Sequence, residues 1–217
     1  MPRARRYGAK YRSKVRPGRS RRKPNMALKR LIRRTVISTA EDKYSCVDTG
    51  PQSLTSGTWY TTAAFSTSQG DGSAARDGAV IMGNWGKIRM SLVSPTDRVA
   101  YVRVMLIRWK GANGAFGSSA LPTDHLSCVT PGMRANFHVI RDMVIPMNPR
   151  TTGAAEDSAV KFRQIFFRDR NKKVYDGAAT VAEKGQVYFC VLHGSNFGSG
   201  TDDPEVDAQI EYHFKDV

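Results

Sequence analysis

The sequence predicts an all-β fold, an antiparallel sandwich or jelly roll, behind a strongly basic N-terminal arm. From about residue 35 onward, short β-favouring runs are separated by Gly, Pro, Ser, Asp and Asn. Two of these runs alternate between apolar and polar residues, and the excess basic charge lies before all of them. A chain of 217 residues can bury one sizeable core. We therefore expect an arm of residues 1–34 and one folded domain of residues 35–217.

The arm carries the whole net charge of the protein. Residues 1–34 contain 15 of the 34 Lys and Arg residues and none of the 19 Asp and Glu residues. In residues 35–217 the other 19 basic residues are balanced by all 19 acidic ones, so the net charge of +15 belongs to the arm. Like charges with Pro, Gly and few apolar residues are typical of disorder, which we predict for residues 1–23.

A short helix is predicted at about residues 25–34. Asn25 can cap its N-terminus, and Leu28, Leu31 and Ile32 then fall on one face, opposite a basic face. So short a helix is marginal alone. We expect it to form against the inner surface of the folded domain or against bound nucleic acid.

The arm is predicted to bind nucleic acid. Cations that contact phosphates release condensed counterions, and guanidinium groups also pair with phosphate and stack on bases. The predicted binding residues are Arg3, Arg5, Arg6, Lys10, Arg12, Lys14, Arg16, Arg19, Arg21, Arg22, Lys23, Lys29, Arg30, Arg33 and Arg34. The cluster at residues 19–23 also fits a nuclear localisation signal, and the sequence leaves both roles open.

Nine strands are predicted within the folded domain. The alternation in 87–92 and 208–215 indicates strands with one buried and one wet face, while 99–109 and 187–192 are apolar on both faces, as in central strands. Long loops are expected at 67–84, 111–135 and 147–159 and are candidates for contacts between subunits. The predicted strands are 35–39, 43–48, 58–66, 85–93, 99–110, 136–146, 160–168, 186–193 and 206–215.

No enzyme is predicted. The four histidines have no metal-ligand spacing, and the chain lacks a phosphate-binding loop and a nucleophile elbow. Asp124 and His125 with Cys128 are the only local grouping of catalytic types, for which a loop histidine and a partly buried cysteine are the simpler interpretation. The three cysteines are far apart and form no CxxC pair, which favours free thiols.

One acidic run is the best metal candidate. Carboxylate oxygens suit Ca²⁺, and the run consists of Asp202, Asp203, Glu205 and Asp207. A solvated loop is the alternative interpretation, and no other cofactor is expected. No apolar run approaches the roughly 18 residues needed to cross a membrane, so no membrane partner is expected.

Several stretches, in this order, resemble a known family. They are the Arg-rich arm, MALKRLIRR at 26–34, SQGDGSAARDG at 68–78 before KIRMSLV at 87–93, RVMLIRWKGANG at 103–114, and VKFRQIFFRDRNKKVYDG at 160–177. The chain resembles the single jelly-roll capsid proteins of small circular single-stranded DNA viruses, similar to satellite tobacco necrosis virus-like coat proteins. The resemblance implies an eight-stranded antiparallel jelly-roll sandwich that self-assembles into an icosahedral T=1 shell. It also implies packaging of a single-stranded genome, with DNA favoured over RNA, and a location in the virion. For a DNA virus it further implies passage through the host nucleus with its import machinery.

The charge of the arm agrees in magnitude with such packaging. In a shell of about 60 copies, the arms would carry about 900 positive charges, enough for a genome on the order of a thousand nucleotides. The alternative is a cellular nucleic-acid-binding protein with a β-barrel body and a basic tail. We favour the coat protein because such cellular proteins usually carry basic and aromatic residues on the folded surface too, whereas this body is neutral.

Overall fold

The structure is a computed structural model that describes residues 28–32, 35, 40–95, 99–111, 116–149, 160–194 and 203–216. The chain divides into two units, residues 1–39 and residues 40–217. In the first unit, residues 28–32 and Thr35 are helical, on the segment where the sequence predicts a helix. The hydroxyl of Thr35 donates to the carbonyl of Leu31 at 3.1 Å. The disorder predicted for residues 1–23 lies outside the described residues.

The second unit is mostly β, which confirms the predicted all-β class. Apart from one 3₁₀ turn (Ser118–Ala120) and one short helix, α1 (Pro131–Asn136), its described elements are strands. They are β1 (Asp42–Asp48), β2 (Gln52–Ser53), β3 (Trp59–Ala63), β4 (Val80–Val93), β5 (Ala100–Trp109), β6 (Phe137–Met147), β7 (Val160–Arg168), β8 (Lys172–Val174), β9 (Val187–His193) and β10 (Glu205–Asp216). No helix in the described ranges is long and apolar enough to cross a membrane.

The strands form two antiparallel sheets. Sheet A has the order β1-β10-β4-β7, with β2 paired to β10 and β8 paired to β4, and sheet B has the order β3-β9-β5-β6. The eight longer strands pair in a nested way. The outermost in sequence, β1 and β10, pair in sheet A, followed inward by β3 with β9 in sheet B, β4 with β7 in sheet A, and β5 with β6 in sheet B.

The main core contains residues of both sheets. In β10, alternate residues are buried while their neighbours are exposed or half-buried, as the alternation in the sequence predicts. Its buried residues are Val206, Ala208, Ile210, Tyr212 and Phe214, and they join inward-facing residues of β5 and β9 in one apolar cluster. Burial of this apolar surface is the main force that stabilises such a sandwich.

A second apolar cluster explains why β5 and β9 are apolar on both faces. Ile107 and Trp109 of β5 and Cys190 of β9 pack with Leu121 and Phe137 outside the main core. The chain between β5 and β6 supplies Leu121 and covers this side of sheet B. The central position predicted for both strands is therefore confirmed.

Three details of the predicted fold need correction. The described residues contain ten strands, not the nine predicted from the pattern or the eight that the resemblance implies, and β2 and β8 were missed because they are too short to produce a period-2 pattern. The predicted strand 35–39 begins at Thr35, which is helical, and its other residues lie outside the description. Strand β4 begins at Val80, inside the predicted loop 67–84, because Gly83 is a packing residue and not a turn residue. A Cβ at Gly83 would lie 2.1 Å from the hydroxyl oxygen of Tyr212.

Candidate functional site

Two of the predicted nucleic-acid-binding residues lie in the described part of the arm. Lys29 and Arg30 are exposed on the helical segment. The apolar residues beside them, Leu28, Leu31 and Ile32, are also more than half exposed. The other predicted binding residues lie outside the described residues: Arg3, Arg5, Arg6, Lys10, Arg12, Lys14, Arg16, Arg19, Arg21, Arg22, Lys23, Arg33 and Arg34.

The acidic run does not converge where it is described. Asp202 lies outside the described residues, and Glu205 and Asp207 are exposed on the outer face of β10. The carboxylate of Asp203 lies 3.7 Å from Nδ1 of His193. In the described part of the chain, no three His, Cys, Asp or Glu side chains form a group that could hold a metal ion. The calcium site stays a prediction.

The local Asp–His–Cys grouping is divided between the interior and the surface. His125 is buried, its Nδ1 lies 2.5 Å from the carboxylate of Asp124, and its ring stacks on Tyr101 with centroids 5.6 Å apart. Cys128 is exposed, so its interpretation as a partly buried residue is wrong.

The structure also contains a basic groove that the sequence did not predict. It has a volume of about 820 Å³ and lies where strands β4 and β7 of sheet A come near β6 of sheet B. Five side chains give it its chemical character and define what we call the arginine–aromatic groove: Trp85, Arg141, Phe166, Arg168 and Arg170. Guanidinium groups can hold anions, and aromatic rings can stack on planar groups.

The register of β4 and β7 places three of the groove's side chains and the neighbouring Lys87 together on the outer face of sheet A. Trp85 pairs with Arg168, and Lys87 pairs with Phe166. The ammonium of Lys87 lies 5.5 Å from the centroid of the Phe166 ring. On the other side, the imidazole of His213 stacks on Trp85 with centroids 3.8 Å apart, which holds the indole in place. Cross-strand pairing thus places cations opposite aromatic rings on this face of the sheet.

Arg141 reaches the groove from a β-bulge in β6. The pairing of β5 with β6 shifts register between Leu106 and Ile107, which leaves Ile140 as an extra residue beside Arg141. A bulge of this kind bends the strand and redirects its side chains.

A buried carboxylate fixes the turn that follows β7. Asp169 is fully buried, and its Oδ2 forms a close ion pair with Lys173 and accepts a hydrogen bond from Tyr212 at 2.9 Å. Its Oδ1 accepts hydrogen bonds from Asn171 at 2.8 Å and from Arg108 at 3.2 Å. Both carboxylate oxygens are therefore satisfied inside the domain.

The pair of Asp169 and Lys173 is ionic at neutral pH. Burial by itself would raise the pKa of Asp169, but the charge of Lys173 and the hydrogen bonds to the carboxylate outweigh it, so the pKa lies below its usual value. Burial lowers the pKa of Lys173 to about 8, and the charge of Asp169 opposes part of that shift. Because Asp169 points inward, its neighbours Arg168 and Arg170 are exposed at the groove.

The positive charge of the groove is not neutralised by the acidic residues next to it in sequence. Asp142, which follows Arg141, accepts two hydrogen bonds from the buried guanidinium of Arg103, at 2.9 and 2.7 Å. Asp169, between Arg168 and Arg170, is held by Lys173 as described above. Among the described residues, none of the groove's three guanidinium groups has a carboxylate partner.

A signal for this groove was present in the sequence but is weak. In 160–168 the groove residue Phe166 has the same parity as Gln164 and Arg168, so it belongs to the polar face of β7, as does Phe162, which lies outside the groove. Phe166 is 56% exposed and Phe162 is 75% exposed. Exposed aromatic residues on a polar face favour a contact surface over a core. The contribution of Arg141 from another sheet gave no signal in the sequence.

No protein-family model matches the chain, and no curated protein matches it.

Proposed function

We propose that this protein is a viral coat protein that self-assembles into a small icosahedral shell and packages single-stranded nucleic acid through its N-terminal arm. The observation that carries the proposal is the division of charge. Residues 1–34 carry the whole +15, while the rest of the chain, which forms the two-sheet sandwich, has no formal net charge. A neutral body can approach its own copies without strong repulsion, and a basic arm can neutralise phosphates.

We further propose that the sandwich is a jelly roll. The nested pairing of the eight longer strands supports this, because successive pairs alternate between the two sheets as in a long hairpin wrapped around a common core. On this proposal, β2 and β8 are short additions to sheet A and do not change its order.

Exposed apolar side chains on the body support self-association. Leu126 in the chain before α1 is 70% exposed, and Val144 on β6 is 39% exposed. A shell subunit can bury such residues against its neighbours, since apolar surface removed from water stabilises association. The genome type, with DNA favoured over RNA, and the passage through the host nucleus are part of the proposal and rest on the resemblance alone.

One observation favours the second candidate, a cellular nucleic-acid-binding protein. Such a protein is expected to carry basic and aromatic residues on its folded surface, and the arginine–aromatic groove is a surface of this kind. The two candidates differ in assembly, because a cellular binder needs no closed shell of its own copies.

Electron microscopy and analytical ultracentrifugation of the purified full-length protein test the proposal. We expect uniform closed particles that contain nuclease-protected nucleic acid, because subunits with a neutral body associate while the arms neutralise phosphates. Typing the protected nucleic acid with DNase and RNase then decides the genome class. A protein that stays monomeric at high concentration, with or without nucleic acid, would contradict the coat function and favour the cellular binder.

Two arm variants separate charge from chain length. In the first, residues 1–34 are deleted, and in the second, every Lys and Arg in 1–34 is replaced by Gln, which keeps the length. We expect both variants to retain the β-rich circular dichroism spectrum and to lose protected nucleic acid. If the Gln variant packages normally, the charge of the arm is not what holds the genome.

A further inference from the structure

We propose that the arginine–aromatic groove is a second nucleic-acid site, one that binds unpaired bases of a single strand on the folded domain. The site deepens the proposed function because it adds base stacking to the phosphate neutralisation of the arm. Its size agrees with such a ligand, since its volume of about 820 Å³ lies within the range of roughly 300–1,000 Å³ found for ligand sites.

The charge of the groove selects an anion. Arg141, Arg168 and Arg170 line it, and among the described residues none of them has a carboxylate partner and no acidic side chain lines the groove. The neighbouring carboxylates of Asp142 and Asp169 are turned away and bound to other cations. Guanidinium groups pair with phosphate in two parallel hydrogen bonds, so three of them can follow a phosphate backbone.

The aromatic rings select a base over a simple anion. Phe166 is 56% exposed although it is a large apolar side chain, and Trp85 is held by its stacking contact with His213. A stacked base would cover such rings, whereas an acidic peptide or a sulfated polysaccharide would use the arginines and leave the rings in water. Stacking also requires unpaired bases, so the ligand is single-stranded.

The groove is built before any ligand arrives. Asp169 is fixed by its buried ion pair with Lys173, and this fixes the backbone from which Arg168 and Arg170 extend. A ring held by a neighbouring ring loses little conformational entropy when a base stacks on it, which favours binding.

A cross-linking experiment on the full-length protein tests the site. A bromodeoxyuridine-substituted single-stranded oligonucleotide is bound at high salt, where phosphate contacts of the arm are weakened, and is then irradiated. We expect mass spectrometry to find cross-links in the peptides that contain Trp85 and Phe166. Cross-links confined to residues 1–34 would overturn the proposal.

Two pairs of variants sharpen the test. Phe166→Ala removes a groove ring, and Phe162→Ala removes an exposed ring on the same face of β7 that does not line the groove. At high salt we expect about a tenfold loss of oligonucleotide affinity for Phe166→Ala and less than about twofold for the control. Arg170→Gln is expected to lower the salt slope by about 0.7, and Arg163→Gln, outside the groove, serves as its control.

Competitors decide the ligand class. At high salt an unlabelled oligonucleotide is expected to displace the probe, whereas polyphosphate or heparin of equal charge is not. Equal competition by heparin, or equal losses for Phe166→Ala and Phe162→Ala, would overturn base recognition. Electron microscopy of the same samples keeps the two proposals apart. Closed particles without groove cross-links refute the groove only, and groove cross-links on a protein that never assembles refute the coat function only.

Discussion

Replacing Asp169 by Asn should destabilise the folded domain by about 3 kcal/mol at neutral pH. The carboxylate of Asp169 and the ammonium of Lys173 are both fully buried and form an ion pair. Removal of one partner from a buried pair leaves the other charge uncompensated, which costs roughly 3–5 kcal/mol. Asn keeps the shape and one acceptor oxygen, which places the expected loss at the lower end. For a chain of this size that is a fall in Tm of roughly 6–12 °C.

The loss should also depend on pH with a defined sign. Burial lowers the pKa of Lys173 to about 8 in the intact protein, and without Asp169 that pKa falls further. Near neutral pH, Lys173 then carries its proton in the unfolded chain but has lost it in the folded variant. In the folded intact protein, Lys173 still holds this proton at the same pH. The variant therefore gains stability relative to the intact protein as the pH rises towards about 8, by at most about 1.4 kcal/mol per pH unit.

Urea unfolding followed by tryptophan fluorescence at several pH values measures both effects. The double variant with Asp169→Asn and Lys173→Met should recover part of the loss, because it removes both fully buried charges. Only part is recovered, since Arg108, whose side chain is 22% exposed, still loses its carboxylate partner. Asp77→Asn is the matched control, since its side chain is 56% exposed and its partner Lys43 keeps Asp216 at 2.9 Å. A loss for Asp169→Asn below about 1 kcal/mol, or one that does not change with pH, would refute the assignment of a buried ion pair.

Three further predictions concern packing and titration. Gly86→Ala should lower the free energy of unfolding by roughly 1–3 kcal/mol, because its Cβ would lie 2.2 Å from the ring of Phe167. Gly72→Ala is the control and should be close to neutral in the same urea unfolding experiment, because the nearest neighbour of its Cβ would lie at 3.8 Å. Burial raises the pKa of Tyr175 to about 12. The stabilisation of the fold that is linked to this shift should be fully present below about pH 10 and be lost as the pH rises towards 12. The ultraviolet absorbance of tyrosinate follows the titration. Cys190 is buried in the second apolar cluster, so its thiol should react with a thiol reagent only after unfolding. Equal reactivity of all three thiols in the native protein would contradict the burial of Cys190 in that cluster. The two thiols expected to react at once are those of Cys46 and Cys128.

Much of the fold could be predicted from the sequence because burial in a sandwich follows a local period. In β10, every second residue from Val206 to Phe214 is buried, and this alternation is visible without a structure. Strands β5 and β9 were identified as central because their residues are apolar on both faces. The two short strands β2 and β8 have no such pattern, and the packing role of Gly83 cannot be predicted from the sequence because its partner Tyr212 is distant in the chain.

The candidate surfaces divide in the same way. The arm was found from the sequence because a run of like charge is a local property that needs no fold. The arginine–aromatic groove was not found, because Arg141 belongs to sheet B while Trp85 and Phe166 belong to sheet A. In the sequence, Asp169 stands between Arg168 and Arg170 in a run of charged residues, with nothing to mark it as buried.

The sequence by itself therefore determined the all-β class, the central strands and the concentration of positive charge before residue 35. These depend on composition and on periods of a few residues. Only the tertiary structure decided which carboxylates are turned inward and which arginines have no carboxylate partner among the described residues. That choice depends on the register of β4 with β7 and on the meeting of two sheets, where residues far apart in the chain, such as Asp169 with Arg108 and Tyr212, come within hydrogen-bonding distance.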